Sequence, residues 1–450
     1  MTAMAELASA ILSGVRAALI VMSSERSMTA DKKRVWAVSV VLGLGMVVNY
    51  IDRGNVAVAA PLIQKEFGLD PVQLGVLFSA FFAAYALLQV PAGWLVDRFN
   101  VKWLYAAAFV IWSGSTAATA LAGSFLSVLV FRILLSIGES ISLPASSKVL
   151  ATEFREDERG IANGILDSGN KFGPAVGTFF GGLYIAHHGW RPLFLITGVL
   201  GLLWLVPWFR VTSSRGNAAP APEGTAPAET SAPRLTMRQI LLAPRAWATF
   251  AGNFCGGYIW YLMLTWIPSY LVMALHFRLA KMGVFASVVF LATGLTSIAV
   301  GWTSDWMIRR GWSASKVRIR FATAGLLMST LFVPAGFAST PGRAFFYLLL
   351  ACAFFGFYSA NIWAISQSIA GPHNIGRWAG VQNLVGNLGG VVSPIVTGWV
   401  VQTTGSFKMA FVIAAGVLVS GASIYLFLVK TLDPVIPEPS GEPTIQVMPV

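Results

Sequence analysis

Twelve stretches of this sequence are apolar for long enough to cross a lipid bilayer, and no other feature restricts the fold so tightly. They run near 35–60, 73–96, 103–122, 125–150, 160–186 and 190–210, then near 246–275, 281–304, 319–338, 344–370, 377–402 and 407–429. A helix of about 20 residues spans the hydrocarbon layer. Gly or Pro interrupts several of the runs. Composition agrees over the whole length: 11% of the residues are charged, against roughly 25% in soluble domains. The chain is therefore read as an all-α membrane protein of twelve transmembrane helices.

The net charge of +12 does not describe a nucleic-acid surface, because the bases sit in short loops between apolar spans rather than on one polar face. With the amino terminus inside, cytoplasmic segments hold 21 of the 31 Lys and Arg residues and the opposite side holds 6. That bias places both termini in the cytoplasm of an inner-membrane, multi-pass protein. The remaining bases, Arg53, Arg132, Lys148 and Lys171, fall within spans. Cys255 and Cys352 each lie in an apolar run with no metal spacing and no disulfide framework, and are read as packing residues. No nucleotide loop or metal cluster is present, so no cofactor and no enzymatic chemistry are expected.

The organisation is six spans plus six. An extension at 1–34 precedes a first half at 35–210, a linker at 211–245, a second half at 246–430 and a tail at 431–450. The linker begins "VTSSRGNAAPAPEGTAPAETSAPR", too poor in apolar residues to build a core. Behind it, "LTMRQILLAPRAW" reads as a short surface helix entering span 7. The tail is Pro-rich and expected to be disordered. The opening "AELASAILSGVRAALIVM" is short and interrupted by Arg16. A signal peptide would reverse the charge bias, so a surface helix or a true start at Met22 or Met28 rather than Met1 is favoured. The halves resemble each other. "GWLVDRFNVK" at 93–102 and "GWTSDWMIRR" at 301–310 share Gly, Trp, Asp and a final base at identical offsets. Gly164, Gly173 and Gly182 match Gly380, Gly389 and Gly398 at one constant shift. Such repeats build transporters with a site between the halves near the midplane.

Charge inside a span is costly and marks a pathway or a binding site by default. "NYIDR" at 49–53 puts Asp52 and Arg53 side by side in span 1. In span 4, "FRILLSIGESISLP" carries Arg132 and Glu139 seven residues apart, on one helical face. An Arg in a low-dielectric cavity suits a carboxylate, which it binds bidentately while staying charged. Left unpaired it would be costly, and an acid such as Glu139 can neutralise it while the site is empty. Burial works against the charged form of such an acid and a nearby Arg works for it, so protonation can follow loading. A plain ion-pair network holding helices in register is the bland alternative. Asp167 and Lys171 in span 5 stand four apart, acid first, the favourable order for a helical ion pair. Lys148 is expected to snorkel to the headgroups. His187 and His188 read as solvated loop residues.

The Gly-x-x-x-Asp-Arg-x-x-x-Lys loop of Gly93, Asp97 and Arg98, with its second copy at Asp305, resembles the signature gating loop of the major facilitator superfamily. There Asp97 can accept from the amino end of a neighbouring helix. With "NYIDR", the acid at 139 and "FSAFFAAYALLQVPAGWLVDRF" in span 2, the chain from about Val35 to Lys430 resembles the anion:cation symporter family. The resemblance implies a fold of two six-helix pseudo-symmetric halves. It implies proton sites at Asp52 and Glu139. It also implies substrate contacts from Arg53, Tyr85, Asn170, Trp363 and Asn383, with Tyr50 a weaker match. Arg132 would tune the coupling acids. The Asp167/Lys171 pair departs from the family, where neutral residues are usual. "GNKFGPAVG" at 169–177 resembles a motif of drug:proton exporters, or else forms a close-packing surface.

The reading is a proton-coupled importer of a small organic anion, a sugar acid such as a hexuronate or aldonate, working as a monomer in the bilayer. Drug or metabolite efflux is the alternative. A non-transporting membrane sensor of the same fold is the rival from another class.

Overall fold

The computed structural model describes residues 30–154, 159–212, 236–371 and 374–434. The amino-terminal extension to residue 29, the linker over 213–235 and the tail from 435 lie outside the described residues, and so do the expectations of an altered start and of disorder. Twelve long helices form two groups of six. The first holds α1 (Ala30–Phe67), α2 (Pro71–Arg98), α3 (Val101–Thr119), α4 (Phe125–Glu153), α5 (Arg159–His188) and α6 (Trp190–Thr212). The second holds α7 (Pro244–Met273), α8 (Leu279–Arg309), α9 (Ala314–Phe337), α10 (Pro341–Ala370), α11 (Ile375–Thr404) and α12 (Lys408–Val429). The surface helix before α7 is Met237–Leu242, started by a capping box of Thr236 and Gln239.

Among the described residues nine of these helices are apolar and long enough to cross a membrane by composition alone. The exceptions are α3, α5 and α7. They carry many polar residues: Ser113, Thr116 and Thr119 on α3, Asp167, Asn170 and Lys171 on α5, Asn253 and Tyr261 on α7. The outside of the bundle is oily, with Leu87, Val90, Leu121 and Phe180 exposed, as a lipid-facing surface requires.

Local chemistry sets the helix ends and breaks. Asp70 caps α2 through a capping box with Gln73, and Pro71 occupies the first turn, where its missing N–H costs nothing. Gly405 closes α11 at φ 65, in the left-handed region. Helix α4 breaks at Ile141 because Pro144 cannot donate to the carbonyl of Ser140. Helix α10 breaks before Ile362, where the Asn361 side chain donates to the Phe357 carbonyl at 3.0 Å and competes with the helix ladder.

The halves meet chiefly along two helix pairs, α2 with α11 and α5 with α8, with a smaller contact of α1 with α7. Ser79 Oγ donates to the Val391 carbonyl at 2.7 Å, and a Cβ on Gly283 would lie 2.7 Å from the Gly182 Cα. On the other pair, Gly398 faces the Pro71 backbone, so the repeated glycines Gly182 and Gly398 make equivalent cross-half contacts. All of these lie toward the end that carries the α1–α2 loop. Beyond Phe172 and Gly294 the second pair parts, leaving Asn163 and Asp167 of α5 and Ala299 and Trp302 of α8 exposed. Along α11 the exposed stripe runs from Leu384 and Leu388 to Ile395 and Trp399, a lipid-facing side, while the close cross-half contacts gather at the α1–α2 end.

Candidate substrate site

Four acidic or basic side chains are buried among the described residues: Asp52, Arg53, Arg132 and Glu139. All sit on α1 and α4 of the first half. The buried polar residues of the second half are Ser, Thr, Asn and Gln. The interior charge is therefore asymmetric within a nearly symmetric fold.

Arg53 is the centre of the cluster. Its Nε and Nη2 donate to Glu139 Oε2 at 3.1 and 2.8 Å, and Nη2 also donates to Asn49 Oδ1 at 3.0 Å. Asn49 is one turn earlier on α1, the spacing that puts two side chains on one face. Aromatic rings enclose the guanidinium: its Cζ lies 4.6 Å from the Tyr50 centroid, 4.8 Å from Phe81 and 4.9 Å from Tyr85. Ring faces attract a planar cation while excluding water. Glu139 uses one oxygen for this contact, and its Oε1 is buried without a partner. Arg132 lies 4.9 Å from the same Phe81 ring and donates to the Arg53 carbonyl at 3.3 Å. Phe81 is thus shared by two cations.

Asp52 points elsewhere. Consecutive helical residues diverge by about 100°, and Asp52 turns toward α3 and α6. Its Oδ1 accepts from Asn55 Nδ2 at 3.5 Å, and Asn55 donates in turn to Thr197 Oγ1 at 2.9 Å. Thr116 lies beside it without a hydrogen bond of good geometry, and Asp52 Oδ2 has no partner. The two carboxylates therefore occupy neighbouring pockets, one on the guanidinium and one behind it.

The second half supplies a polar face. Tyr261 donates to Asn387 Oδ1 at 2.7 Å, and Asn387 Nδ2 donates to the Asn383 carbonyl at 2.8 Å and to its Oδ1 at 3.2 Å. Phe82 packs on Tyr261 with centroids 4.2 Å apart, and Trp260 stands 6.5 Å from Tyr50. The sequence reading included Asn383 and missed Tyr261, Asn387, Asn49 and Trp260. Asn49 and Asn387 could have been found, since each is four residues from a chosen position on the same face. Tyr261 and Trp260 carried no such signal.

Several expectations are corrected. Asp167 and Lys171 do not pair: Asp167 is exposed and accepts from Asn170 at 2.8 Å, while Lys171 lies 5.8 Å from the Trp260 ring. Helical spacing permits an ion pair, but Trp260 on the opposite half draws the ammonium across the interface. Lys148 does not snorkel. It donates to the Val96 and Asp97 carbonyls at 2.6 and 3.4 Å, capping the end of α2 with a positive charge. Asp97 is exposed and, among the described residues, makes no side-chain hydrogen bond to a helix amino end, and Arg98 lies over Trp94 at 5.3 Å. Gly93 has open space around it, and Asp305 pairs with Arg318 at 3.2 Å. Trp363 is 40% exposed on α10 and makes no ring contact with the cluster. The Gly-Pro motif is a packing surface: a Cβ on Gly169 would lie 2.5 Å from Met46 Cβ, and one on Gly173 2.6 Å from Tyr50 Cβ. Its glycines let α1 and α5 touch.

Comparison with known proteins places this geometry. The chain is 31% identical to a D-galactonate transporter of Escherichia coli O6:H1, covering 88% of this chain and 96% of that one. It is 32% identical to a probable sulfoacetate transporter of Cupriavidus necator (88% and 95%) and 29% identical to a hexuronate transporter of Bacillus subtilis (89% and 95%). The crystal structure of a bacterial homologue of the human lysosomal transporter Spinster shares the fold, with a TM-score of 0.73 at 20% identity over 88% of this chain and 97% of that one. The sequence pattern of the Major Facilitator Superfamily matches residues 42–394, and the chain belongs to that superfamily of transporters, not to an enzyme family.

Proposed function

We propose that the protein imports a sugar acid, an aldonate or hexuronate, together with protons across the inner membrane by alternating access. The observation that carries this reading is Arg53, a buried cation held through one oxygen of Glu139 and walled by three aromatic rings. A cation that cannot lose its proton and is kept from water suits a carboxylate cargo. Relatives named for D-galactonate and hexuronate support the sugar-acid class.

In this reading, a proton binding Glu139 dissolves its ion pair and frees the guanidinium for the substrate carboxylate. Asp52, in its separate pocket, takes a second proton, and Arg132 sets the field at both. Tyr50, Tyr85, Asn170 and Asn383 meet the hydroxyls, with Trp363 joining as the halves close. With the amino terminus inside, the closely packed α1–α2 end faces outward and the opposite end faces the cytoplasm, which supports an inward-open reading. The loops at Gly93, Asp97, Arg98 and Asp305 relatch that end as the halves, 35–210 and 246–430, rock as units. The packing of Gly169 and Gly173 against α1 gives the Gly-Pro motif a use that does not require efflux.

Proteoliposomes under an inward proton gradient, offered galactonate, hexuronates and sulfoacetate, are expected to accumulate at least one of them with proton influx. A flat response to the whole panel with export of lipophilic cations would overturn the reading. Flat responses in both assays would favour a sensor.

A further inference from the structure

We infer that the lipid-facing side of the first half binds an anionic phospholipid, with one acyl chain in a groove between α2, α3 and α4 and the phosphate on Arg98 and Lys148. The inference goes beyond the transport reading and takes from it only the orientation, which puts the groove in the cytoplasmic leaflet. The groove has a volume of about 510 Å³, and Pro91, Leu95, Leu104, Ile111, Ile137 and Ile141 are among its walls. Two helix irregularities open it: Pro91 cannot donate to the Leu87 carbonyl within α2, and α4 breaks at Ile141. The walls run from Leu88 to Leu95 on α2 and from Leu104 to Ile111 on α3, two turns or about 10 Å of helix. Pro91, Ala107, Ile111 and Ile137 are exposed, so the groove opens sideways onto the oily surface of the bundle. A long apolar slot of this kind suits an acyl chain, which gains from every methylene it buries.

The charge lies at one end of the slot. Arg98 is one turn past Leu95 on α2, and Lys148 is two turns past Ile141 on the inner segment of α4, so each continues a wall of the groove toward the cytoplasm. The two bases also stand together. Lys148 Nζ donates to the Val96 carbonyl at 2.6 Å and to the Asp97 carbonyl at 3.4 Å, and the Asp97 carbonyl belongs to the peptide that leads into Arg98. A third N–H of the ammonium remains for a phosphate oxygen. Among the described residues neither base is in a salt bridge, and the Arg98 guanidinium lies over the exposed Trp94 ring. Of the nearby acids, Glu153 is paired with Arg34 at 3.1 Å and Asp97 is exposed, so the mouth keeps a net positive charge. An exposed indole beside bases is the usual make-up of the headgroup level, and such bases attract anionic lipid. A phosphate held by both ties the inner segment of α4 to the α2–α3 loop.

The test uses the full-length protein purified in detergent and a phosphatidylglycerol with a photoreactive diazirine in one acyl chain. After irradiation, peptide mass spectrometry should find the label concentrated on the segments of α2, α3 and α4 that wall the groove. Unlabelled phosphatidylglycerol should compete at least about tenfold better than phosphatidylcholine with the same chains, whose choline offsets the phosphate charge. Glycerol phosphate, which has the charge without the chain, should not compete. Arg98→Gln should reduce the preference to about threefold or less while the labelled position stays the same. Ala107→Trp fills the groove from its exposed rim, so it should remove the label and leave the unfolding temperature nearly unchanged. The inference is overturned by label spread evenly over the lipid-facing helices, by equal competition from the two lipids, by competition from glycerol phosphate, or by an unaltered preference in Arg98→Gln. Undiminished label in a folded Ala107→Trp overturns it as well; if that variant does not fold, the label map and Arg98→Gln decide. No arm involves the cargo, so failure here leaves the transport reading standing.

Discussion

Arg53 Nη2 and Glu139 Oε2 lie 2.8 Å apart, joining α1 to α4 in the interior of the first half. The other Glu139 oxygen is buried and unpartnered. The acid therefore binds the cation without filling its own hydrogen-bonding capacity, and the ion pair can be opened by a single proton.

Glu139→Gln copies the neutral acid in shape and charge. Substrate exchange across a proteoliposome membrane should continue, because Arg53 is free to bind. Accumulation driven by a proton gradient should fail. Normal gradient-driven accumulation in this variant would remove Glu139 from coupling.

Arg53→Lys keeps a positive charge and loses the planar fork that reaches two acceptors. Losing a buried charged contact costs about 2–5 kcal/mol, so affinity should fall on the order of 30-fold or more. Arg98→Lys on the exposed loop should leave the dissociation constant nearly unchanged. Calorimetric titration of both variants checks this, and equal, near-normal affinities would make Arg53 a structural residue.

Tyr261→Phe strands Asn387 Oδ1, which is buried and, among the described residues, accepts only from that hydroxyl. The unsatisfied acceptor should cost about 1–3 kcal/mol, and replacing Asn387 by Leu as well should recover part of it. Thermal unfolding in detergent measures both. A double variant no better than the single one would argue against this hydrogen bond.

Gly283→Ala places a Cβ 2.7 Å from the Gly182 Cα and from the Thr178 carbonyl. Overpacking of this kind costs about 1–3 kcal/mol. The expected relief is separation of α5 from α8 at the α1–α2 end. A cysteine at Ser79, buried on the companion helix pair, should then label faster with a water-soluble thiol reagent. Unchanged labelling would show that the closure absorbs the methyl group.

Much of this was legible in the chain. Apolar runs pointed to the twelve helices, because backbone in lipid has few options, although α3, α5 and α7 are more polar than the other nine. The gating-loop repeat and matched glycines marked two related halves, since close helix approach demands a missing Cβ at set intervals. Charges within spans marked Arg53, Glu139, Arg132 and Asp52, because burial makes such residues too costly to keep idle. The directions of those side chains were not legible. Only the packed helices decided that Glu139 meets Arg53 while Asp52 turns behind it. They also decided that Lys171 leaves Asp167 for Trp260 and that Lys148 caps α2. Tyr261, Trp260 and Asn387 joined the site because α7 and α11 pack there, which no local pattern states. Helical spacing lists the partners a side chain can have; the neighbouring helices, tens or hundreds of residues away in sequence, select among them.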